Sequence, residues 1–294
     1  MDFDFSDDQE QLRDAVRKWV DKGYTFDRRR EITHAGGFDR AAYTELAELG
    51  LCGLYISEDH GGMGMGPVEG MVVMEELGRG IVMEPIQQAL ISGAVLEGYA
   101  PDAIKAEWLP KIAGGEAIVV LAHQERKSRY NISKCDAQAQ QQDGQWNITG
   151  TKSVVAAGDH ADAFLVPAMA AGKLALFLVA KGAKGSATSG YVTQDGARAA
   201  ELTLNQSPAS LVSLDGQTAL SHAVDIGIAS VCAEAVGVMD KTMAITVDYM
   251  NTRKQFNTTI ATFQALRHRV ADMKMQLELG RSMSYYASLK LNTP

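Results

Sequence analysis

The sequence predicts an α+β protein in three stretches: helices first, a small β-barrel or sandwich in the middle, and helices again at the end. Apolar residues recur every three to four positions up to about Glu116, alternate with a period of two from about Ala117 to Leu214, and return to the helical period after Gly216. In the middle stretch, Gly and β-branched residues punctuate runs of only strand length. The expected division is therefore 1–116, 117–215 and 216–294.

The elements follow in order. Ser6-Asp7-Asp8-Gln9 has the form of a capping box, with Leu12, Val16, Trp19 and Val20 on one helical face behind it. Phe38-Asp39 opens a second helix carrying Tyr43, Leu46 and Leu49, and Gly50 supplies its stop. Pro67 suits the first turn of a third helix with Met71, Met74 and Leu77 inward, and two more helices follow Pro85 and Pro101. Ala117–Ala122 and Leu174–Val179 read as buried strands. Asp143-Gly144 marks a hairpin between Cys135–Gln141 and Trp146–Ala157. A long helix is expected from about Thr218 to Met250. Another starts near Phe263 with Leu266, Val270, Met273 and Leu277 at spacings of three and four. Two such helices leave apolar stripes uncovered, so a dimer or dimer of dimers is expected, and the last domain reads as an incomplete bundle.

Composition excludes several classes. The chain has 294 residues, 46% of them hydrophobic and 22% charged, which fits folded domains and rules out disorder. A net charge of −8 argues against a nucleic-acid binder. Cys52, Cys135 and Cys232 lie far apart, so a reducing, cytoplasmic setting is the expectation. Met1–Phe5 lacks the basic and apolar regions of a signal peptide. The apolar runs are short and broken by Gly, so no membrane span is expected.

Chemistry read from residue types alone stops early. The six histidines, His34, His60, His123, His160, His222 and His268, lack the spacing of a metal site. There is no nucleophile elbow, dinucleotide fingerprint or P-loop. Gly61-Gly62-Met63-Gly64-Met65-Gly66 reads as a flexible loop rather than a phosphate cradle.

One segment goes further. Arg253-Lys-Gln-Phe256, then Phe263-Gln264, then Ala271-Asp272-Met273 resembles the R-x-x-F-G…F-Q…A-D-M stretch of the acyl-CoA dehydrogenase family. Gly53–Gly64 resembles that family's G-x-x-x-P-E-x-x-G-G-x-G loop, and Met74-Glu75-Glu76-Leu77-Gly78 its helix with two acids. Gly150-Thr151-Lys152 followed by Ala161-Asp162 resembles its G-x-K-x-W-I-T-N…A-D strand. Within the family, Glu125…Ser128-Arg129-Tyr130-Asn131 looks most like the small subunits of pimeloyl-CoA dehydrogenase-like enzymes.

The resemblance implies a helical N-terminal domain, a middle β domain and a C-terminal four-helix bundle. It also implies FAD as cofactor, an acyl-CoA substrate, an electron-transfer acceptor and a homo- or hetero-oligomer. In the implied reaction a carboxylate removes the α proton of the acyl thioester while the β hydrogen leaves as hydride to the flavin. The implied flavin residues are Ala122, Gln124, Val154, Ala156, Arg253, Phe256 and Gln264. Gln124 replaces the family threonine and can still donate through its amide and N–H; Val154 replaces the tryptophan and Ala156 the second threonine, where contacts rest on the backbone. Tyr130 stands where a serine lies near the thioester chain. Arg253, Phe256 and Gln264 are expected at the diphosphate and adenine end of a flavin held by a neighbouring subunit. The usual catalytic glutamate is expected beyond Pro294. The alternative early position corresponds to about Gly227, with Glu234 seven residues further, ~10 Å along the helix at 1.5 Å per residue. The chain as given is therefore expected to be inactive by itself, and a non-catalytic partner that helps to hold FAD is the alternative role.

Overall fold

The computed structural model describes residues 5–291. Helix α1 (Asp7–Lys22) begins with the expected capping box: Ser6 Oγ accepts from Gln9 N at 3.2 Å, and Gln9 Oε1 accepts from Ser6 N at 3.0 Å. The Met1–Asp4 part of the expected non-signal segment lies outside the described residues, as does Pro294. The sequence pattern did not mark α2 (Phe26–His34), a short, polar helix with only Ile32 buried. Helix α3 (Arg40–Glu48) is capped by Asp39, whose carboxylate accepts from Ala41 N, and Gly50 follows with φ of 80°. Next come α4 (Pro67–Gly80), α5 (Ile86–Tyr99) and α6 (Asp102–Ala113), each starting at the expected proline.

Among the described residues nine strands follow, of which seven form one sheet: β1 (Val119–Leu121), β2 (Gln138–Gln142), β3 (Gln145–Ala156), β4 (Ala163–Ala170), β5 (Lys173–Ala180), β6 (Ser186–Val192) and β7 (Arg198–Ser213). The path β4-β2-β3-β7-β5 returns to β4, so five strands close a barrel; β1 extends it beside β4, and β6 beside β7. Closure removes two sheet edges, which resolves the barrel-or-sandwich alternative. Asp143 and Gly144 both have positive φ, the requirement of a tight two-residue hairpin, and set Gln142 opposite Gln145. Strand β4 is covered on both faces, which explains its nearly unbroken apolar run.

The long helix α7 (Gly216–Thr252) leads to a two-residue hairpin of β8 (Lys254–Gln255) and β9 (Thr258–Thr259), and then to α8 (Gln264–Leu291). By length and composition α7 would suffice to cross a membrane, contrary to the expectation that no run is apolar enough. Its packing gives that apolar character a local use: Val236 and Met243 are buried with Leu277 of α8, and Val270 packs against them. The rest of the predicted α8 stripe is only partly covered, and Met273 is 41% exposed.

The chain divides into two compact units, each described by itself. One comprises Met1–Phe26, Pro67–Val82 and Ile228–Pro294. In it α4 meets α7 at glycines. A Cβ on Gly237 would collide with the Glu75 carbonyl, and one on Gly78 with that of Glu234. Around that contact, Glu76 is buried between Arg17 and Arg79, Arg79 reaches Asp240 at 2.8 Å, and Arg281 pairs with Glu75. The other unit comprises Asp27–Gly66 and Met83–Gly227, with the barrel and its flanking helices.

Candidate flavin and acyl-CoA site

On the barrel unit the site is built from β3 and the segment after β1. Ala122 is buried and donates its N–H to Leu165 O at 2.9 Å. Gln124 is exposed, and its carbonyl accepts from Ser153 N at 2.8 Å, which pins this segment to β3. Val154 and Ala156 are exposed on alternate positions of β3. Val154 has φ of 54°, an unusual conformation for a β-branched residue. The β3–β7 register shifts between Lys152 and Val155, so Val154 sits at a bulge. No side-chain donor stands at either position, whereas Gln124 offers an amide. Tyr130 lies on the following loop and is 99% exposed.

Beneath this surface is a buried group that the sequence did not reveal. Lys152 Nζ is 2.7 Å from Glu125 Oε1, and the Glu125 carboxylate also accepts from Asp136 N at 2.7 Å and Ala137 N at 3.1 Å. Burial would raise the Glu125 pKa, but the Lys152 hydrogen bond and these backbone donors outweigh it and leave it lowered. His123 is held down to about 4 by burial and by the Lys152 charge, so its imidazole is neutral near pH 7. Both Glu125 and Lys152 lie in the motif-bearing segments. No local signal pairs them: Glu125 and Lys152 each lie among polar neighbours, His123-Gln124 and Arg126-Lys127 for the one, Thr151 and Ser153 for the other.

The Gly-rich loop is not flexible, as the sequence suggested, but tightly folded. Met63 N bonds Gly53 O, Gly64 N bonds Ile56 O and Met65 N bonds Leu54 O, at 2.7–3.0 Å. A Cβ on Gly62 would collide with the Ile56 carbonyl, so only glycine permits this approach. Ser57 Oγ and Glu97 Oε2 both meet His60 Nδ1, at 3.1 and 3.2 Å. Because both partners use the same ring nitrogen, these three close the loop and do not form a nucleophile relay.

On the helical unit, the β8–β9 hairpin presents Phe256 and Asn257 at its tip, both with positive φ. Phe256 is 88% exposed and stands edge-on to Phe263. Arg253 follows α7 directly; its carbonyl accepts from Ile260 N at 2.9 Å, and its exposed guanidinium makes no ion pair among the described residues. Gln264 opens α8 and lines a cavity of about 450 Å³ with Arg267, His268, Ala271 and Asp272. Of the two base positions considered on α7, Gly227 accepts a hydrogen bond from Gln87 Nε2 at 2.9 Å and carries no carboxylate. Glu234 is half-buried at the α4–α7 crossing.

A closed barrel framed by helices, followed by a long helix pair, is the architecture of flavin-dependent acyl-CoA dehydrogenases. The N-terminal domain model of acyl-CoA dehydrogenase matches residues 6–116, and the C-terminal domain model matches residues 215–293. The chain belongs to the acyl-CoA dehydrogenase family. It is 29% identical to acyl-CoA dehydrogenase FadE12 of Mycobacterium tuberculosis, over 96% of this chain and 76% of that protein. It is 26% identical to mitochondrial isovaleryl-CoA dehydrogenase of Oryza sativa subsp. japonica, over 96% of this chain and 73% of that one. Among solved structures, the ChsE4–ChsE5 complex of M. tuberculosis superposes with a TM-score of 0.89 at 27% identity, covering 98% of this chain and 79% of that one.

FAD is the cofactor that this family membership brings with it. The residues present fit it unevenly. An exposed Arg253, which makes no ion pair among the described residues, suits a diphosphate, whose oxygens accept the forked guanidinium donors. On the barrel unit only the Gln124 amide and strand backbone are offered, since Val154 and Ala156 are apolar.

Proposed function

We propose that this chain is a subunit of an FAD-linked acyl-CoA dehydrogenase that takes part in the α,β-dehydrogenation of an acyl-CoA thioester within an oligomer. The observation that carries the reading is the Arg253–Gln264 segment: a tight hairpin with two positive-φ residues at its tip and, at its base, an exposed guanidinium that makes no ion pair among the described residues. In this reading Arg253 and Gln264 bind the diphosphate and adenine end of FAD held by a neighbouring subunit. Gln124 and the β3 backbone at Val154 and Ala156 face the ring, and Tyr130 lies towards the thioester chain. Phe256 shields the diphosphate from water. Bound FAD would supply the hydride acceptor.

A second role, that of a supporting subunit, is favoured by Gly227. General-base removal of an α proton needs a carboxylate within hydrogen-bond reach, and Gly227 offers none. Half-buried at a helix crossing, Glu234 is a weaker candidate. The test is turnover of the purified chain with FAD, saturated acyl-CoAs and an artificial acceptor, alongside the visible absorbance of bound flavin. Bound flavin without turnover is expected of the chain alone. Enoyl-CoA formation by it would overturn the supporting role, and Glu234→Gln would then be the first variant to assay. Absence of flavin from both the chain and its assemblies would overturn the flavoprotein reading.

A further inference from the structure

The cluster around Lys152 contains a nucleophile that the flavin reading does not use. Lys152 Nζ, besides its contact with Glu125, lies 3.5 Å from Cys135 Sγ, and the same sulfur lies 3.4 Å from Glu125 Oε1. An amine, a thiol and a carboxylate thus meet from three segments: strand β3, the stretch before β2, and the turn after β1. No second thiol touches Cys135 among the described residues; Cys52 is buried and free, and Cys232 is exposed and free. Cys135 is half-buried, and a cavity of about 220 Å³ is lined by its neighbours Asp136 and Glu125 together with Ala137, Gly150 and Ser153. That space admits a molecule the size of water or peroxide next to the Glu125 side of the cluster, although neither Cys135 nor Lys152 lines it.

We propose that Cys135 and Lys152 form a reversible covalent link through one oxygen atom, Sγ–O–Nζ, when the protein meets hydrogen peroxide. A first peroxide transfers an oxygen to Cys135: the thiol becomes a sulfenic acid and water leaves. A second peroxide is reduced as the N–O bond forms between that oxygen and Nζ; two waters and one proton leave, and Glu125 is positioned to take the proton. In sum, one thiol, one ammonium and two peroxides give the link, three waters and a proton. Sulfur and nitrogen each lose two electrons, both peroxides are reduced, and the lysine charge disappears.

Geometry selects this product over its competitors. A sulfenic acid at Cys135 has an amine, not a thiol, as its nearest nucleophile. At 3.5 Å the two atoms are spanned by an inserted oxygen with a small closure, whereas a direct S–N bond would draw Lys152 much further out of its packed strand. Burial raises the Cys135 pKa and Lys152 pulls it down, with the balance upward, so the residue rests as a thiol and responds to sustained rather than trace peroxide. The link removes the ammonium partner of Glu125 and ties β3 to the stretch before β2. Both lie beside the Gln124–Ser153 hydrogen bond that holds the strand edge.

The experiment is peptide mapping by mass spectrometry of the full chain in a Cys232→Ser background, before and after hydrogen peroxide and again after dithiothreitol. Expected is a peptide pair joining Cys135 to Lys152, heavier than the two by one oxygen less two hydrogens, which dithiothreitol separates into unmodified peptides. Cys135→Ser should abolish it while leaving the fold intact by circular dichroism. Cys135 carried to sulfinic acid with Lys152 unmodified would overturn the proposal. So would a Cys135 that stays reduced at peroxide concentrations that oxidise Cys232 in the parent protein.

Discussion

The Arg17 guanidinium grips the buried Glu76 carboxylate with two hydrogen bonds, Nε to Oε2 at 3.1 Å and Nη2 to Oε1 at 2.6 Å. The Glu76 side chain is 1% exposed, and Arg79 adds a third contact at 3.1 Å, so one carboxylate ties α1 to α4. Removing it leaves Arg17 to solvent and Arg79 with Asp240, and takes away the tie between the helices. Glu76→Ala should cost about 1.5–3 kcal/mol, the range for losing hydrogen bonds between charged groups. Glu76→Gln, which keeps one acceptor, should cost less, about 0.5–1.5 kcal/mol. Urea midpoints at constant slope measure both, and equal midpoints for wild type and Glu76→Ala would exclude this role.

Glycine substitutions at the α4–α7 contact should run against helix propensity. Alanine in a helix interior is ordinarily better than glycine by about 0.5–1 kcal/mol. At Gly78 and Gly237 the added Cβ meets backbone carbonyls, which cannot rotate away as a side chain would. Gly78→Ala and Gly237→Ala should therefore lower thermal stability, whereas Gly98→Ala, with nothing within 4 Å, should raise or preserve it. Calorimetric midpoints of the three variants decide the matter, and a stabilising Gly237→Ala would mean the helices do not touch there.

Acid should weaken the barrel unit in two overlapping steps. The His123 imidazole, depressed from 6.5 to about 4, is neutral in the fold but protonates more readily when unfolded. Its contribution is full above pH 6.5 and is lost as pH falls through 4; at 1.36 kcal/mol per pKa unit this is roughly 3 kcal/mol. Glu125, also depressed, keeps its contribution above the usual carboxylate range and loses it as pH falls through its lowered folded value. His123→Asn should flatten the first step and leave the second. Stability measured from pH 7 to 4 with an unchanged slope in that variant would rule out the assignment.

Arg253→Ala tests the flavin end of the site. Loss of charged hydrogen bonds to a diphosphate should weaken FAD retention by about 1.5–3 kcal/mol. Folding should be untouched, because the guanidinium makes no ion pair among the described residues and is exposed. Flavin titration of the assembled protein measures the change. Unchanged affinity would remove Arg253 from the site, and a fall in circular dichroism would give it a structural task instead.

Local chemistry was readable because it is local. The capping box at Ser6 and Gln9, the prolines opening α4, α5 and α6, and the Asp143-Gly144 turn depend on residues within a few positions of one another. Helix α2 escaped because its surface is almost wholly polar, so it has no stripe to detect. The bulge at Val154 also escaped, since a β-branched residue gives no hint of positive φ. Of the candidate site, the Arg253–Gln264 segment was legible as a resemblance, and its exposure is consistent with ligand contact.

What the sequence by itself determined is the alternation of helical and strand stretches, the family, and which motif-bearing residues to examine. Only the tertiary structure decided that the strands close into a barrel, because closure depends on β4 pairing with β5 as well as with β2. It alone set the glycines of α4 and α7 against carbonyls and buried Glu76 between two arginines. It alone brought Cys135, Glu125 and Lys152 together, 10 to 27 residues apart in the chain. The physical reason is the same each time. Periodicity reports which side of an element is apolar, but the partner of a buried charge or the neighbour of a bare backbone is fixed by chain reversals that bring distant segments into contact.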